Sequence, residues 1–382
     1  MARSSSRRSF LAAGALAGGA ALIGASPASA AAQRPKFKRK SPSSVELMEV
    51  GVITCGYYSH IEDIWGKLIN PPGVESDGTS WPRQTGMVMT SVWDPDPKAA
   101  ETFAKKYDVK IVKNYYDMVG KVDGVILSDY YATGWWPRLS KPYLEAGMPS
   151  LINRPFALSL AEMDEMIARA KEYNAPILVP SSDEMMMETL RARHRLQALT
   201  DKGAHVTGAM AFEPCGEYAA HGVHSIYNLF TILRPNVVAA NLMAEKWWEW
   251  GDKGGMMNWQ VKGEGKNPDY MVAIRMSTEG DTNGWVEIST NTGRVFENND
   301  HEGDVFARYR NMFLPTCIEF QKMIETGRQS QTFEHIAGKT TVFLTGFYSH
   351  REKKGEMVQC ADVPRNWRAP EVMPDRIPKD IF

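Results

Sequence analysis

The chain has 382 residues, a formal net charge of −1 and an apolar fraction of 43%. Such a length predicts about two domains, with enough apolar side chains to build a sizeable core. Near-neutral charge excludes the basic field of a nucleic-acid binder, and no acidic tail marks a binding arm.

The first residues read as an address rather than as fold. Arg7 and Arg8 stand in Ser6-Arg7-Arg8-Ser9-Phe10-Leu11, followed by a Gly/Ala-rich stretch from Ala12 to Gly24 and by Ala28-Ser29-Ala30. The layout is that of a twin-arginine export signal with an Ala-x-Ala cleavage pattern. The stretch is shorter and less apolar than the roughly 20 residues a membrane span needs. Residues 1–31 are therefore expected as a signal peptide, 32–46 as a linker, and the mature protein as periplasmic or secreted. Cys55, Cys215, Cys317 and Cys360 are spaced too irregularly for a zinc site or a disulfide framework, so buried free thiols are expected.

From Glu49 to about Ser181 strands and helices alternate. Glu49–Thr54 predicts a strand, and Ile61, Ile64, Trp65 and Leu68 give helical spacing over Ser59–Leu68. A Pro/Gly/Ser-rich loop from Asn70 to Gly86 follows, long enough to read as functional or mobile. Met87–Trp93 is a second strand. Asp96 caps the next helix and Pro97 suits its first position. Val109–Val112, Gly124–Ser128, Ser150–Asn153 and Ile177–Pro180 are further strands, with helices over Pro137–Ala146 and from a Ser159/Glu162 capping box to Tyr173. This alternation predicts an α/β chain whose residues 47–181 form a doubly wound parallel sheet of the Rossmann, dinucleotide-binding kind.

After a helix near Met186–Thr200 the pattern changes. His205–Phe212, Val237–Lys246, Tyr270–Thr278 and Trp285–Thr290 read as strands, the last two joined by a hairpin turn at Asn283-Gly284. Residues 182–382 are expected as an α+β substrate and oligomerisation domain with a largely antiparallel sheet and few helices between its strands, its C-terminal segment able to pack back on the first domain.

The first strand leads into Thr54-Cys55-Gly56-Tyr57-Tyr58-Ser59-His60. A dinucleotide turn needs small residues there, because the backbone must turn tightly and approach the pyrophosphate at a helix N-terminus. Gly56 occupies the central glycine position, with Thr54 and Ser59 in place of its companions. Thr54, Gly56, Tyr57 and Tyr58 are cofactor candidates, together with Asp129 after the fourth strand. Asp94 closes the second strand, where an acid accepts from the adenine ribose and disfavours a 2′-phosphate, favouring NAD over NADP; its alternative is a turn residue before two prolines.

In this order of elements the chain resembles the glucose–fructose oxidoreductase / inositol dehydrogenase / rhizopine-catabolism (Gfo/Idh/MocA) family. Glu145-Ala146-Gly147-Met148-Pro149 with Asn153-Arg154-Pro155-Phe156-Ala157-Leu158-Ser159 resembles its signature segment, and His221-Gly222-Val223-His224-Ser225-Ile226 its Gly-x-His helix. Arg154 stands where the family has lysine, and Ala220 where it has aspartate. The resemblance implies bound NAD, a cis peptide before Pro155, Asn153 and Arg154 beside the cofactor, and His224 as the proton-transfer group, with Arg154 and His221 assisting. Arginine keeps the charge but is a poor acid or base. His221 and His224 also stand as an i, i+3 pair, without a third residue at metal-ligand spacing. Tyr130, Trp135, Asp183 and Tyr227 are substrate candidates, Tyr130 and Trp135 because strand carboxyl ends carry the site in open α/β sheets. Tyr131, Trp136 and Glu184 share those neighbourhoods. The cluster Trp247, Trp248 and Trp250 is expected in packing, at a subunit interface or in the cleft.

Three readings follow. The first is an NAD-dependent oxidoreductase on a sugar or polyol, with tightly held cofactor and a homo-oligomeric state. The second is an NAD-assisted glycoside-cleaving enzyme of the same fold. The third is a non-catalytic sugar-binding or structural protein.

Overall fold

The computed structural model describes residues 46–370 except 57–58, 77, 215–217, 245–253, 266, 278–283 and 299–304. The export signal, Tyr57, Tyr58, Cys215, Asn283 and the three clustered tryptophans lie outside the described residues.

Six parallel strands form the first sheet: β1 (Met48–Ile53), β2 (Met87–Trp93), β3 (Lys110–Ile111), β4 (Gly124–Leu127), β5 (Ser150–Ile152) and β6 (Ile177–Leu178). Their spatial order is β3-β2-β1-β4-β5-β6, so the chain reverses direction across the sheet between β1 and β4. That is a topological switch point, where the carboxyl ends of the strands splay into a crevice. The expected helix at Ser59–Leu68 is a π-helical turn over Ile61–Trp65 running into the short α1 (Gly66–Ile69). Single π turns recur at functional sites because they re-aim side chains. The long loop is partly ordered by a small ribbon, Gly73–Val74 with Ser80–Trp81.

Local signals hold where they were read. Asp96 caps α2 (Pro97–Tyr107) by accepting from Lys98 N at 2.9 Å, with Pro97 in the first turn. Ser159 caps α4 (Leu160–Glu172) by accepting from Glu162 N at 3.1 Å, while Glu162 accepts from Leu158 N. α3 (Trp136–Glu145) precedes Gly147, whose φ of +72° a side chain would strain.

The sheet is covered on both faces. α3 and α4 bury one apolar cluster. α1, α2 and a returning C-terminal helix, α7 (Val305–Thr326), bury the other through Phe103, Phe313, Phe320 and Ile324. Gly124 permits α7 to approach: a Cβ there would sit 2.9 Å from Ile324 and 3.0 Å from Phe320. The edge strand β6 is closed by side chains, since Gln329 and Gln331 accept from Ile177 N and Val179 N. Capping an edge in this way blocks pairing with another chain.

The second sheet contains β7 (Val206–Glu213), β8 (Val237–Ala244), β9 (Gly255–Val261), β10 (Tyr270–Met276), β11 (Trp285–Thr290), β12 (Gly293–Asn298) and β13 (Val358–Gln359). Its order is β12-β11-β7-β10-β9-β8-β13. Pairings are antiparallel except β7 with β10. This corrects the expected hairpin: β10 and β11 do not pair, because β7 lies between them and bonds both. The hairpins are instead β9–β10 and β11–β12. α5 (Met187–Thr200) stands where a helix was expected, and α6 (Val223–Leu233) carries the Gly-x-His segment between β7 and β8, whereas α7 and α8 (Phe333–Glu352), which follow β12, were not singled out from the sequence. α6 and α8 pack on one sheet face. The opposite face carries Met210, Met243, Met256, Met271 and Phe296, all exposed. Among the described residues no helix is long and apolar enough to cross a membrane. Cys55 and Cys317 are buried free thiols, whereas Cys360 is only half-buried, contrary to expectation.

Candidate active site

At the switch point Thr54 takes a φ of +62°, doing at the first position of the turn what glycine does elsewhere. Its Oγ1 accepts from Asp129 N at 3.1 Å, tying the ends of β1 and β4 together. Gly56 follows with no side chain, and Ser59 N closes the turn on Gly56 O at 2.9 Å. A tight turn at open strand ends fits the approach of a dinucleotide backbone. Asp94 lies at the end of β2 as expected, but its carboxylate reaches back into this turn. One oxygen accepts from Cys55 N at 2.6 Å and Gly56 N at 3.0 Å, the other from Asp96 N at 2.9 Å. Burial, followed by the charge of Asp94, pushes the Cys55 thiol far up, so it stays protonated.

The segment after β5 enters the crevice through a cis bond between Arg154 and Pro155, as the resemblance implied. Asn153 is locked in one orientation: Nδ2 donates to Ser128 O at 2.6 Å and Oδ1 accepts from Arg154 N at 2.9 Å. The Arg154 side chain is 1% exposed. Its guanidinium lies 4.3 Å from the Tyr130 ring centre and reaches His224 Nε2 at 3.1 Å and His60 Nε2 at 3.4 Å. Face-on aromatic contact stabilises a cation.

Guanidinium groups only donate. His224 Nε2 therefore accepts, its proton sits on Nδ1, and Nδ1–H donates to Ser181 Oγ at 2.6 Å. Ser182 Oγ lies 3.5 Å and Asp183 Oδ1 4.0 Å from the same nitrogen. Burial first, then Arg154, and then the neighbouring His221 and His60, hold His224 well below the usual imidazole range. The ring is neutral at neutral pH, with its basic lone pair on the Arg154 side.

Arg154, His224, Tyr130 and Asp183 come together, with His221 next to them; its ring centre is 5.8 Å from that of His224. Trp135 is half-buried beside Arg138 on the far side of the turn after β4. Three placements were not legible in the sequence. Trp136 is wholly buried and donates to Asn153 O, so it supports the site from behind. Tyr227 is wholly buried under Lys339 Nζ, 3.9 Å from its ring centre, within electrostatic reach of Arg154. Glu184 turns away from the crevice into a buried ion pair with Lys339 at 2.8 Å. Each follows from packing on helices, which sequence spacing around a strand end does not reveal.

His60, Ser181 and Ser182 were not singled out from the sequence. His60 sits at the N-cap of the π turn, ringed by Trp65, Tyr130 and Phe313 with centroids 5.1–5.5 Å away. Burial and then Arg154 depress its basicity strongly. Asn153 Nδ2 and Arg154 face its two nitrogens at 3.4 Å each, and a neutral ring can accept from only one of them. The signal available was its position directly after the quoted turn. Among the described residues no group of three or more His, Cys, Asp or Glu side chains is arranged to hold a metal ion.

Residues 50–180 match the model of the oxidoreductase family with an NAD-binding Rossmann fold. No curated protein matches the sequence. Among solved structures, a probable dehydrogenase from Thermotoga maritima is 16% identical with a TM-score of 0.65, covering 83% of this chain and 100% of that one. Myo-inositol dehydrogenase from Lactobacillus casei, in complex with NAD(H) and myo-inositol, is 14% identical with a TM-score of 0.65, covering 82% and 96%. A protein described as a putative NADPH-dependent oxidoreductase, from Desulfitobacterium hafniense, is 12% identical with a TM-score of 0.61, covering 83% and 99%. At these identities the likeness is one of fold.

Proposed function

We propose, from the match of residues 50–180 to the model of the NAD-binding Rossmann oxidoreductase family, that the chain is a member of the Gfo/Idh/MocA family and oxidises or reduces a carbinol carbon of a sugar, polyol or sugar derivative with tightly held NAD. The observation that carries this reading is the chain of contacts Arg154–His224–Ser181 at the carboxyl ends of the first sheet. When bound, NAD supplies the hydride acceptor or donor. Thr54 and Gly56 would hold its pyrophosphate side, and Asn153 and Arg154 its nicotinamide side.

The protein's own part is proton and charge management. A substrate hydroxyl entering between Arg154 and His224 accepts from the guanidinium and donates to Nε2. As hydride leaves the carbon, the hydroxyl proton passes to Nε2, and the fixed charge of Arg154 favours the developing alkoxide. Ser181 Oγ keeps the other ring proton on Nδ1. Tyr130 supports the cation from its far side. A neutral, buried base of this kind is ready to accept without first losing a proton. The L. casei structure with myo-inositol supports a polyol as the substrate class.

The testing experiment is to purify the mature protein from the exported fraction without added nucleotide, denature it, and assay the supernatant by mass spectrometry. Near-stoichiometric NAD, and an N-terminal sequence starting at Ala32, are expected. NADP in its place would overturn the assignment of Asp94. A second reading has one observation behind it: the Asp94 carboxylate already engages the Cys55 and Gly56 amides, donors that a pyrophosphate would need. Absence of nucleotide, with no binding of NAD by calorimetry, would carry that reading, a binding protein on a degenerate fold.

The apolar face of the second sheet, with five exposed Met and Phe side chains, supports a homo-oligomer closed over it. Light scattering is expected to give a multiple of the chain mass, and a one-chain mass would reject it.

A further inference from the structure

We propose that the buried Glu184–Lys339 pair is a positioning element that holds Ser181, and not Asp183, against His224 Nδ1. The role assigned here to His224 rests on the oxidoreductase reading; the positioning itself does not.

Lys339 on α8 is fully buried, and its Nζ donates to Val179 O at 2.7 Å and to the two Glu184 oxygens at 2.8 and 3.1 Å. These use all three ammonium protons. Glu184 in turn accepts from Thr231 Oγ1 on α6 at 2.9 Å, from His335 Nε2 on α8 at 2.7 Å and from Ser181 N at 3.4 Å. Val179 N is held by Gln331 at 3.0 Å. The segment Val179–Glu184 is thus pinned at both ends by one ammonium, with Ser181 between. The same carboxylate is tied to α6, the helix that begins beside His224.

Stability alone does not explain such a pair. Taking two charges out of water costs about as much as their attraction returns, and apolar replacements of the same volume are often neutral. A fully satisfied polar network does give rigidity. Rigidity matters here because three acceptors compete for Nδ1–H, at 2.6, 3.5 and 4.0 Å. A shift of about 1 Å would exchange a hydroxyl for the Asp183 carboxylate, which would stabilise the imidazolium and raise the basicity of the ring. Arg154, His60 and His221 face the ring from the other elements and act in the opposite direction. The pair therefore keeps His224 neutral and its Nε2 lone pair aimed at the substrate position.

The test uses the full mature chain with selectively 15N-labelled histidine and NMR of the ring nitrogens, the His224 signal being identified by its loss in His224→Asn. In the native protein a neutral Nδ1–H tautomer is expected across about pH 6–8, the range in which an ordinary imidazole titrates. In Glu184→Gln/Lys339→Met, which removes both charges together, Arg154 still keeps the proton on Nδ1, but the Asp183 carboxylate takes the place of Ser181 and the titration of His224 moves up by about one pH unit or more, tenfold in proton affinity. Ser181→Ala, with the pair intact, should leave Nδ1 protonated and the titration low, because the pair still holds Asp183 away. A folded double variant with native titration overturns the proposal, as does a Ser181→Ala titration raised as far as that of the double variant. Should the double variant not fold, Glu184→Gln is read in the same way, with a smaller upward shift expected and an unchanged titration overturning it. The measurement needs no turnover, so an inactive protein with a fixed His224 tautomer would count against the oxidoreductase reading and leave this inference standing.

Discussion

Replacing His224 with Asn is expected to lower kcat by about 10²–10⁴-fold, the usual contribution of a positioned general base. Asparagine fills similar space and can still meet Arg154 and Ser181, but it has no basic nitrogen. The pH profile makes the result specific. His224 is held well below the usual imidazole range by burial and then by Arg154. The native kcat/KM should therefore stay flat as pH falls through the ordinary imidazole value and decline only below it, where Nε2 becomes protonated. In the variant that acid limb disappears. The same depression affects folding. Between the folded value and 6.5 the unfolded chain binds more protons, so His224 stabilises the fold at neutral pH and that contribution is lost on acidification. A variant with native kcat would remove His224 from the mechanism, whatever its stability.

The largest expected effect on stability is that of Lys339→Met taken alone, about 3–5 kcal/mol by chemical denaturation, because it leaves a buried carboxylate with its main counter-charge gone. Burial by itself would raise the Glu184 carboxyl, but Lys339 and the His335 hydrogen bond outweigh it and hold it at about 2 against an ordinary 4.5. Lys339 is also pushed down, to about 8, because burial outweighs the attraction of Glu184. At neutral pH both remain charged. In the native protein the Glu184 contribution is present above pH 4.5 and is lost as pH falls toward 2. In the variant the sign reverses. The buried carboxyl would titrate above its unfolded value, so the deficit should be small in acid and grow as pH rises toward neutrality. A deficit that does not vary with pH would show that lost packing, not the orphaned charge, causes it.

The parts of this molecule that sequence determined are those with local causes. Strands in a doubly wound parallel sheet are short, apolar and separated by helices, so each from β1 to β6 announces itself within a few residues. The caps at Asp96 and Ser159 act on amides two and three positions away. Arg154 and His224 were found through short motifs of the family the chain resembles, and the cis bond at Pro155 came with them. Tertiary structure decided what depends on distant partners. The turn at Asn283-Gly284 signals a hairpin, yet β7 competes for the edges of both β10 and β11 and wins both. Its residues lie far back in the chain, and no local pattern reports their arrival. α7 covers the first sheet from the far end of the sequence, where Gly124 leaves it room. Glu184 and Asp183 are adjacent acids of the same kind, and only the position of Lys339 on α8 sends one inward while the other stays near His224. Backbone preference acts between neighbours, so sequence shows where elements begin and end. Charge, burial and proton position act through space, so the state of His224 exists only once α6, β6 and α8 have come together.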